Sequence, residues 1–241
     1  DTEICRETKR GFGRIPGMRL VCLSSVWSLA LVSTISAATA PRPFGPVPSE
    51  AQLRWSELEM YAFCHFTTNT FTDKEWGFGD ESPSIFNPTE FDADQIVGTL
   101  AKSGFKGVIL TCKHHDGFCM WPTKTTAHNI SKSPWKGGKG DMVREFSAAA
   151  KRHGVPFGVY LSPWDRNHEY YGTPRYIEIY RQQLTELLTN YGPVFEVWHD
   201  GANGGDGFYG GNRGRRSIDR TSYYDWPNTW QLVRKLQPHA V

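Results

Sequence analysis

Four short apolar runs alternate with amphipathic stretches, and this alternation constrains the fold of the chain more than any other feature. The runs are MYAFCHF, GVILTCK, FGVYLSP and FEVWHDG, at 60–66, 107–113, 157–163 and 195–201. Apolar runs of this length, bounded by polar loops, are typical of buried strands. Each predicted strand is followed by a stretch with helical periodicity, and such βα units predict a parallel sheet.

The helical stretches carry recognisable end signals. Ser49 is the expected N-cap of a helix ahead of the first strand, and Gly104 is the expected end of the helix that follows that strand. The predicted helices lie at 49–59, 92–104, 141–154, 173–192 and 228–238.

Two architectures are built from such units, the doubly wound sheet and the (β/α)8 barrel. Polar and aromatic residues gather at the carboxyl end of every predicted strand, which favours the barrel because active sites lie at that end. A complete barrel takes ~250 residues. The four units therefore predict an α/β fold, an incomplete TIM-like barrel, in which Val241 would begin a fifth strand.

The first 40 residues are expected to lie outside this domain. Met18 is followed by the apolar run LVCLSSVWSLALVSTI and by the small residues SAATA, which end at Ala40. We assign residues 18–40 to a secretory signal peptide, since the apolar run is shorter than the ~20 residues of the alternative, a membrane anchor. Residues 1–17 are treated as a non-structural upstream segment and 41–241 as the domain of a secreted or periplasmic protein, free of the membrane.

Charge gives no reason to expect a nucleic-acid partner. The formal net charge of +2 arises within residues 1–19, and the remainder of the chain is neutral. Three cysteines in the domain, Cys64, Cys112 and Cys119, are too few for a disulfide framework. The sequon that begins at Asn129 could carry a glycan only if its loop is exposed.

Histidines, carboxylates and aromatic residues stand where each strand ends. A single strand-end histidine is more often structural, but the clusters recur at matching positions and would converge on one mouth of a barrel. The residues are His65, Lys113, His114, His115, Asp116, Tyr160, Trp164, Trp198, His199 and Asp200.

Two kinds of chemistry could use these residues. A metal site would need His114 and His115 to face one ion, although adjacent strand residues point to opposite faces and no typical ligand spacing occurs. The role of nucleophile fits Asp200 better. Glu196, Trp198 and Asp200 are alternate residues that share one face of the predicted strand, and Asp200 lies at its carboxyl end. Glu196 is interpreted as a structural group, and no metal is expected.

A Gly-rich segment at 201–214 contains G-x-G-x-x-G at 205–210. A dinucleotide-binding fingerprint needs that motif in a tight turn between a strand and a helix. Here the segment runs on into the arginine-rich RGRR, so we interpret it as a mobile lid or a surface loop.

Taken together, the motifs resemble the retaining α-L-fucosidases of glycoside hydrolase family 29. KHHDGF at 113–118 is the most specific motif, and the resemblance extends from about Phe44 to Val241. The supporting motifs are FCHF, EWG, VYLSPWD and VWHDG, at 63–66, 75–77, 159–165 and 197–201. The segments HFTTNTFTDKEWG and EVWHDGANGG resemble the branch that prefers α-1,3/1,4-linked fucose. Many other members have His-Trp-Gly where this chain has His65-Phe66-Thr67.

The resemblance implies an exo-α-L-fucosidase that acts on fucosylated oligosaccharides or glycoconjugates without a cofactor. Asp200 would be the nucleophile. The substrate-binding residues would be His65, Glu75, Trp76, His114, His115, Tyr160 and Trp198.

Retaining hydrolysis also needs a second carboxylic acid about 5–5.5 Å from the nucleophile. In the family this residue lies later than Val241. Glu75 is the one candidate within the chain, and sugar binding is preferred for it. The chain alone is therefore expected to be inactive. The alternatives are a non-catalytic protein that binds fucose or glycans, a degenerate fragment of such an enzyme, and a metal-dependent hydrolase.

Overall fold

The computed structural model describes residues 39–201, 207–209, 214–219 and 221–241. The predicted upstream segment and signal peptide lie outside the described residues except for residues 39 and 40. Gly45–Val241 forms one compact unit. Among the described helices, none combines the length and apolar character needed to cross a membrane.

Strands and helices alternate along this unit as predicted. The helices are α1 (Glu50–Glu57), α2 (Asn69–Thr72), α3 (Ala93–Lys102), α4 (Met142–His153), α5 (Pro174–Asn190) and α6 (Trp226–Leu236). The strands are β1 (Ala62–Cys64), β2 (Val108–Lys113), β3 (Phe157–Leu161), β4 (Val197–Trp198), β5 (Gly207–Tyr209) and β6 (Gly214–Arg216). Short 3₁₀ turns occupy Pro83–Ile85, Ile130–Lys132 and Trp135–Gly138.

The main sheet is parallel and its strands lie in the order β1-β2-β3-β4. Sequential parallel strands with a helix after each are the arrangement of a TIM-like barrel, here present in part. At the free edge of β4, Val241 donates to the Phe195 carbonyl at 3.0 Å and accepts from the Val197 N–H at 2.9 Å. This parallel pairing places Val241 where the predicted fifth strand would begin.

The helix ends follow the sequence signals. Ser49 and Gln52 form a reciprocal capping box at the start of α1, and Asp92 accepts backbone N–H bonds at the start of α3. Gly104 has φ +91, and its N–H and that of Phe105 bond to carbonyls of the last turn of α3. This left-handed position favours glycine and ends the helix as predicted.

The outer face of the sheet packs against the helices. Helix α4 contacts β2, β3 and α3, and it buries Val143, Phe146 and Ala150 in the main core. Burial of a side chain such as Phe146 contributes about 1.5–3 kcal/mol. The inner face is aromatic instead: the Phe63 ring lies 4.9 Å from the Trp198 ring and 6.4 Å from the Tyr160 ring.

A register shift interrupts the pairing of β2 with β3. Thr111 pairs with Tyr160, whereas Lys113 pairs with the very next residue, Leu161. The extra residue on β2 is a bulge, and it reverses the direction of the side chains that follow it. Lys113 therefore points out toward α5, where its Nζ bonds to Gln183.

The structure corrects the interpretation of one loop segment and shows that the condition set for the sequon is not met. The Gly-rich segment is not loop throughout, because β5 and β6 pair as an antiparallel hairpin; residues 202–206 and 210–213 lie outside the described residues. The sequon is buried, since Asn129 is 3% exposed and its amide donates to the Thr126 carbonyl at 2.7 Å. This asparagine cannot serve as a glycan acceptor in the folded protein.

Candidate active site

A cavity of about 480 Å³ opens at the carboxyl ends of the parallel strands. The segment that follows β1 and the turns after β2 and β4 supply its wall. The lining residues are His65, Thr67, Asn69, Thr70, Lys74, Glu75, Trp76, His114, His115 and Asp200.

Asp200 follows β4 and is held from two sides. The Tyr160 hydroxyl donates to its Oδ2 at 2.8 Å, and the Gly201 N–H donates to its Oδ1 at 2.8 Å. Its side chain is 51% exposed, so the carboxylate remains accessible from the cavity. Burial, reinforced by the bond to Asp200, raises the pKa of Tyr160 well above its usual value, which keeps this hydroxyl a donor.

His115 stands beside this carboxylate, with its Nε2 3.9 Å from Asp200 Oδ2. Its Nδ1 hydrogen-bonds to Ser162 Oγ at 2.7 Å, which fixes the plane of the ring. Gly201 has φ +75, and a Cβ there would collide with the His115 ring. Glycine at 201 therefore allows the carboxylate and the imidazole to lie this close.

His114 and His65 complete a group of packed rings. The His114 ring stacks on Tyr160 at 5.6 Å, and the His65 Nδ1 hydrogen-bonds to Thr111 Oγ1 at 2.9 Å. Burial lowers the pKa of all three histidines: to about 3 for His114 and to about 4 for His115, while the Asp200 charge opposes the effect at each. At neutral pH they act as uncharged donors and acceptors.

These shifts predict a loss of stability in acid. The unfolded chain protonates its histidines near pH 6.5, whereas folded His114 and His115 resist protonation until about pH 4 or below. Their contribution to stability is thus present above pH 6.5 and is lost as the pH falls toward 4. The buried Asp116 opposes this trend, because burial raises its pKa to about 6 and its ionisation costs stability as the pH rises from about 4 to 6.

We expect the histidines to dominate, so the free energy of unfolding should be lower at pH 4.5 than at pH 7. His114→Gln should shrink this difference by about 1–3 kcal/mol, since one shifted histidine is worth about 1.4 kcal/mol per pH unit. Urea titrations at the two pH values measure the effect. An equal acid loss in both proteins would show that His114 is not its source.

The segment after α2 presents Glu75 and Trp76 to the cavity. Glu81 organises it by accepting from the N–H groups of Phe78 and Gly79 at 2.7 and 2.8 Å. Arg166 donates to the Gly77 carbonyl at 2.7 Å and so ties the segment to the loop after β3. Trp76 is 39% exposed and lines the cavity, which leaves its side chain available to a ligand.

Six of the eight residues expected at the site line one cavity: His65, Glu75, Trp76, His114, His115 and Asp200. The other two lie elsewhere. Tyr160 is 1% exposed because the His114 ring covers its ring. Its hydroxyl supports Asp200 from beneath. Trp198 is 38% exposed and packs edge-on against Phe63 beside the cavity, not in its wall.

Three strand-end residues do not converge on the mouth, contrary to expectation. Lys113 is turned outward by the bulge. Asp116 is buried, where it accepts from the Thr68 hydroxyl and from the Phe118 N–H at 3.1 Å. The His199 ring bonds through Nδ1 to the Tyr180 hydroxyl at 2.6 Å, which lies on the helix side of the sheet.

The interpretation of Glu196 agrees with the structure. Its Oε2 accepts from the Trp55 Nε1–H at 2.6 Å, and burial raises its pKa. Sequence reasoning missed Thr67, Asn69, Thr70 and Lys74, although all four follow His65 closely in the chain.

The described residues contain no group of three or more His, Cys, Asp or Glu side chains arranged to hold a metal ion. The three cysteines among them are free thiols, and burial raises the pKa of Cys64 to about 11.

Comparison with known proteins decides the family. The family model for α-L-fucosidase matches residues 33–241. The chain belongs to the α-L-fucosidase family. The matched region begins at residue 33, whereas the resemblance in the motifs begins at about Phe44.

Individual fucosidase relatives agree with this assignment. Alpha-L-fucosidase 1 of Arabidopsis thaliana is 48% identical over 221 residues. A glycoside hydrolase 29 family member from an unknown rumen bacterium superimposes with a TM-score of 0.79 at 56% identity over 82% of this chain. A Ruminococcus gnavus GH29 fucosidase, solved in complex with fucose, gives a TM-score of 0.69 at 36% identity over 83% of this chain.

These fucosidase relatives are longer than the present chain. The alignment covers 90% of the chain but 41% of the Arabidopsis protein, and it covers 36% and 42% of the two bacterial structures. The chain thus spans about two fifths of the relatives it matches.

Proposed function

We propose that the chain is the N-terminal part of the catalytic barrel of a retaining exo-α-L-fucosidase that removes terminal α-linked L-fucose from glycans. The observation that carries this proposal is the accessible Asp200 carboxylate, oriented by Tyr160 and Gly201 at the edge of a cavity walled by uncharged histidines. Family membership supports the substrate class, and one relative has been solved with fucose.

In the proposed reaction Asp200 attacks the anomeric carbon of the fucosyl group. A bond forms between a carboxylate oxygen and C1 while the glycosidic bond breaks, and the leaving oxygen takes a proton from a second carboxylic acid. That acid, now a base, activates water to hydrolyse the fucosyl ester. The histidines, Glu75 and Trp76 bind the sugar, because a deoxysugar needs hydrogen-bonding partners for its hydroxyls and an apolar wall for its methyl group.

We further propose that the second acid is supplied by polypeptide beyond Val241, and that residues 1–241 alone do not hydrolyse unactivated fucosides. The sequences around and after β1 and β4 resemble those of the branch that prefers α-1,3/1,4-linked fucose. This resemblance supports glycans with these linkages as the preferred substrates. The signal-like pattern at 18–40 supports a secreted or periplasmic protein whose substrates are extracellular glycans.

The test compares the complete polypeptide with residues 1–241 on oligosaccharides of defined linkage. We expect the complete polypeptide to release L-fucose from α-1,3- and α-1,4-linked substrates with a kcat/KM at least about tenfold that for α-1,2-linked ones. The shorter chain should bind L-fucose without turnover. Binding without turnover by the complete polypeptide would instead favour a non-catalytic fucose-binding protein. Activity lost to a chelator would favour metal-dependent hydrolysis.

A further inference from the structure

Asn69 is a buried polar residue of the cavity that the proposed mechanism does not use. It lines the cavity and is 8% exposed, yet neither its amide nitrogen nor its amide oxygen has a hydrogen-bond partner in the structure. An amide left without partners destabilises the fold, and native proteins normally satisfy such groups with protein, water or ligand.

The surrounding segment holds Asn69 in this position. The Phe66 and Phe71 rings pack against the Phe86 ring at 5.9 and 5.5 Å, which anchors the segment to the core. Thr68 is tied to the buried Asp116. The Asn69 residue therefore stays at the cavity wall, and only rotation about its side-chain bonds can reorient the amide.

The neighbouring polar groups of the same wall already have partners. Thr67 Oγ1 accepts from the Asn69 N–H at 3.2 Å, and Thr70 Oγ1 accepts from the Thr67 N–H at 3.3 Å. Lys74 pairs with Glu81 at 3.3 Å. On this wall the Asn69 amide keeps both donor and acceptor capacity for a ligand.

We propose that Asn69 is a substrate-binding residue whose amide grips two adjacent sugar hydroxyls, donating from Nδ2 to one and accepting at Oδ1 from the other. This inference rests on the proposed function. An amide suits a neutral polyol, since it presents a donor and an acceptor side by side and carries no charge whose desolvation must be offset.

The experiment measures the dissociation constant of L-fucose by NMR titration alongside thermal unfolding. Asn69→Leu keeps the side-chain size and removes both polar atoms, and Asn69→Ala serves if the leucine is not accommodated. Thr72→Val, on the same turn but outside the cavity wall, is the matched control. We expect both Asn69 variants to bind about tenfold more weakly, while Asn69→Leu unfolds at the same or a higher temperature because unpaired atoms have been removed.

Monodeoxy fucoses sharpen the test. Each of the two analogues that lack a hydroxyl bound by Asn69 should show a smaller difference in affinity between wild-type protein and Asn69→Ala, whereas the other analogues should keep the full difference. If wild-type protein binds L-fucose and both Asn69 variants bind it within twofold, the inference about Asn69 is overturned alone. If wild-type protein does not bind L-fucose, the proposed function fails and the inference falls with it.

Discussion

Asp200→Asn is expected to lower the rate of covalent labelling by 2-deoxy-2-fluoro-α-L-fucosyl fluoride by about 10⁴-fold or more. Loss of a nucleophile typically has effects of this size, because the remaining groups cannot form the intermediate. Fluoride departs as an anion without protonation, so labelling does not depend on the second carboxylic acid. The rate is followed by intact-protein mass spectrometry.

Asparagine preserves the shape of the Asp200 side chain: its Oδ1 can accept from the Gly201 N–H and its Nδ2 can donate to the Tyr160 hydroxyl oxygen, so the substitution tests charge and nucleophilicity more than folding. Glu75→Gln is the matched control, since it removes a different carboxylate from the same cavity. The Glu75→Gln variant should need a higher reagent concentration for half-maximal labelling. The covalent adduct should still form. Labelling of Asp200→Asn at a rate near that of wild type would remove Asp200 from the chemistry.

Lys113→Met is expected to lower the free energy of unfolding by about 3–5 kcal/mol, the usual cost of breaking a buried ion pair by removing one partner. Lys113 is fully buried, and its Nζ contacts Asp165 Oδ2 at 3.1 Å and the Tyr176 hydroxyl at 2.9 Å. Burial alone would raise the pKa of Asp165, but the Lys113 charge and other partners hold it below its usual value. Without the lysine, Asp165 is left as an uncompensated buried carboxylate.

Urea denaturation measures this effect, and a second substitution identifies its origin. Lys113→Met combined with Asp165→Asn should recover part of the loss, because asparagine removes the stranded charge and still accepts the N–H groups of Asn167 and His168. The control is Lys106→Met, whose exposed pair with Glu59 should contribute less than about 1 kcal/mol. A similarly small effect of Lys113→Met would show that this ion pair does not support the fold.

Much of the architecture follows from the sequence because its causes are local. Apolar runs and helical periodicity fix the order of elements, and short-range signals such as Ser49 and Gly104 fix where helices begin and end. Parallel strands present their carboxyl ends on one side, so the meeting of His65, His115 and Asp200 could also be predicted.

What the sequence did not reveal depends on contacts between distant segments. No glycine or proline in β2 signals the bulge, yet the bulge turns Lys113 outward and His114 toward the cavity. The covering of Tyr160 by His114 follows from the same bulge. The exposure of Trp198 depends on packing between β1 and β4, and the unpartnered amide of Asn69 appears only when the folded cavity is inspected.

Locating the covalent adduct tests the central claim most directly. The complete polypeptide is labelled with the fluorinated fucosyl fluoride, digested, and sequenced by tandem mass spectrometry. A fucosyl ester on Asp200 is the result that the geometry around Tyr160, His115 and Gly201 predicts. An adduct on Glu75 or on any other residue, or no adduct under conditions where the same protein hydrolyses fucosides, would contradict it.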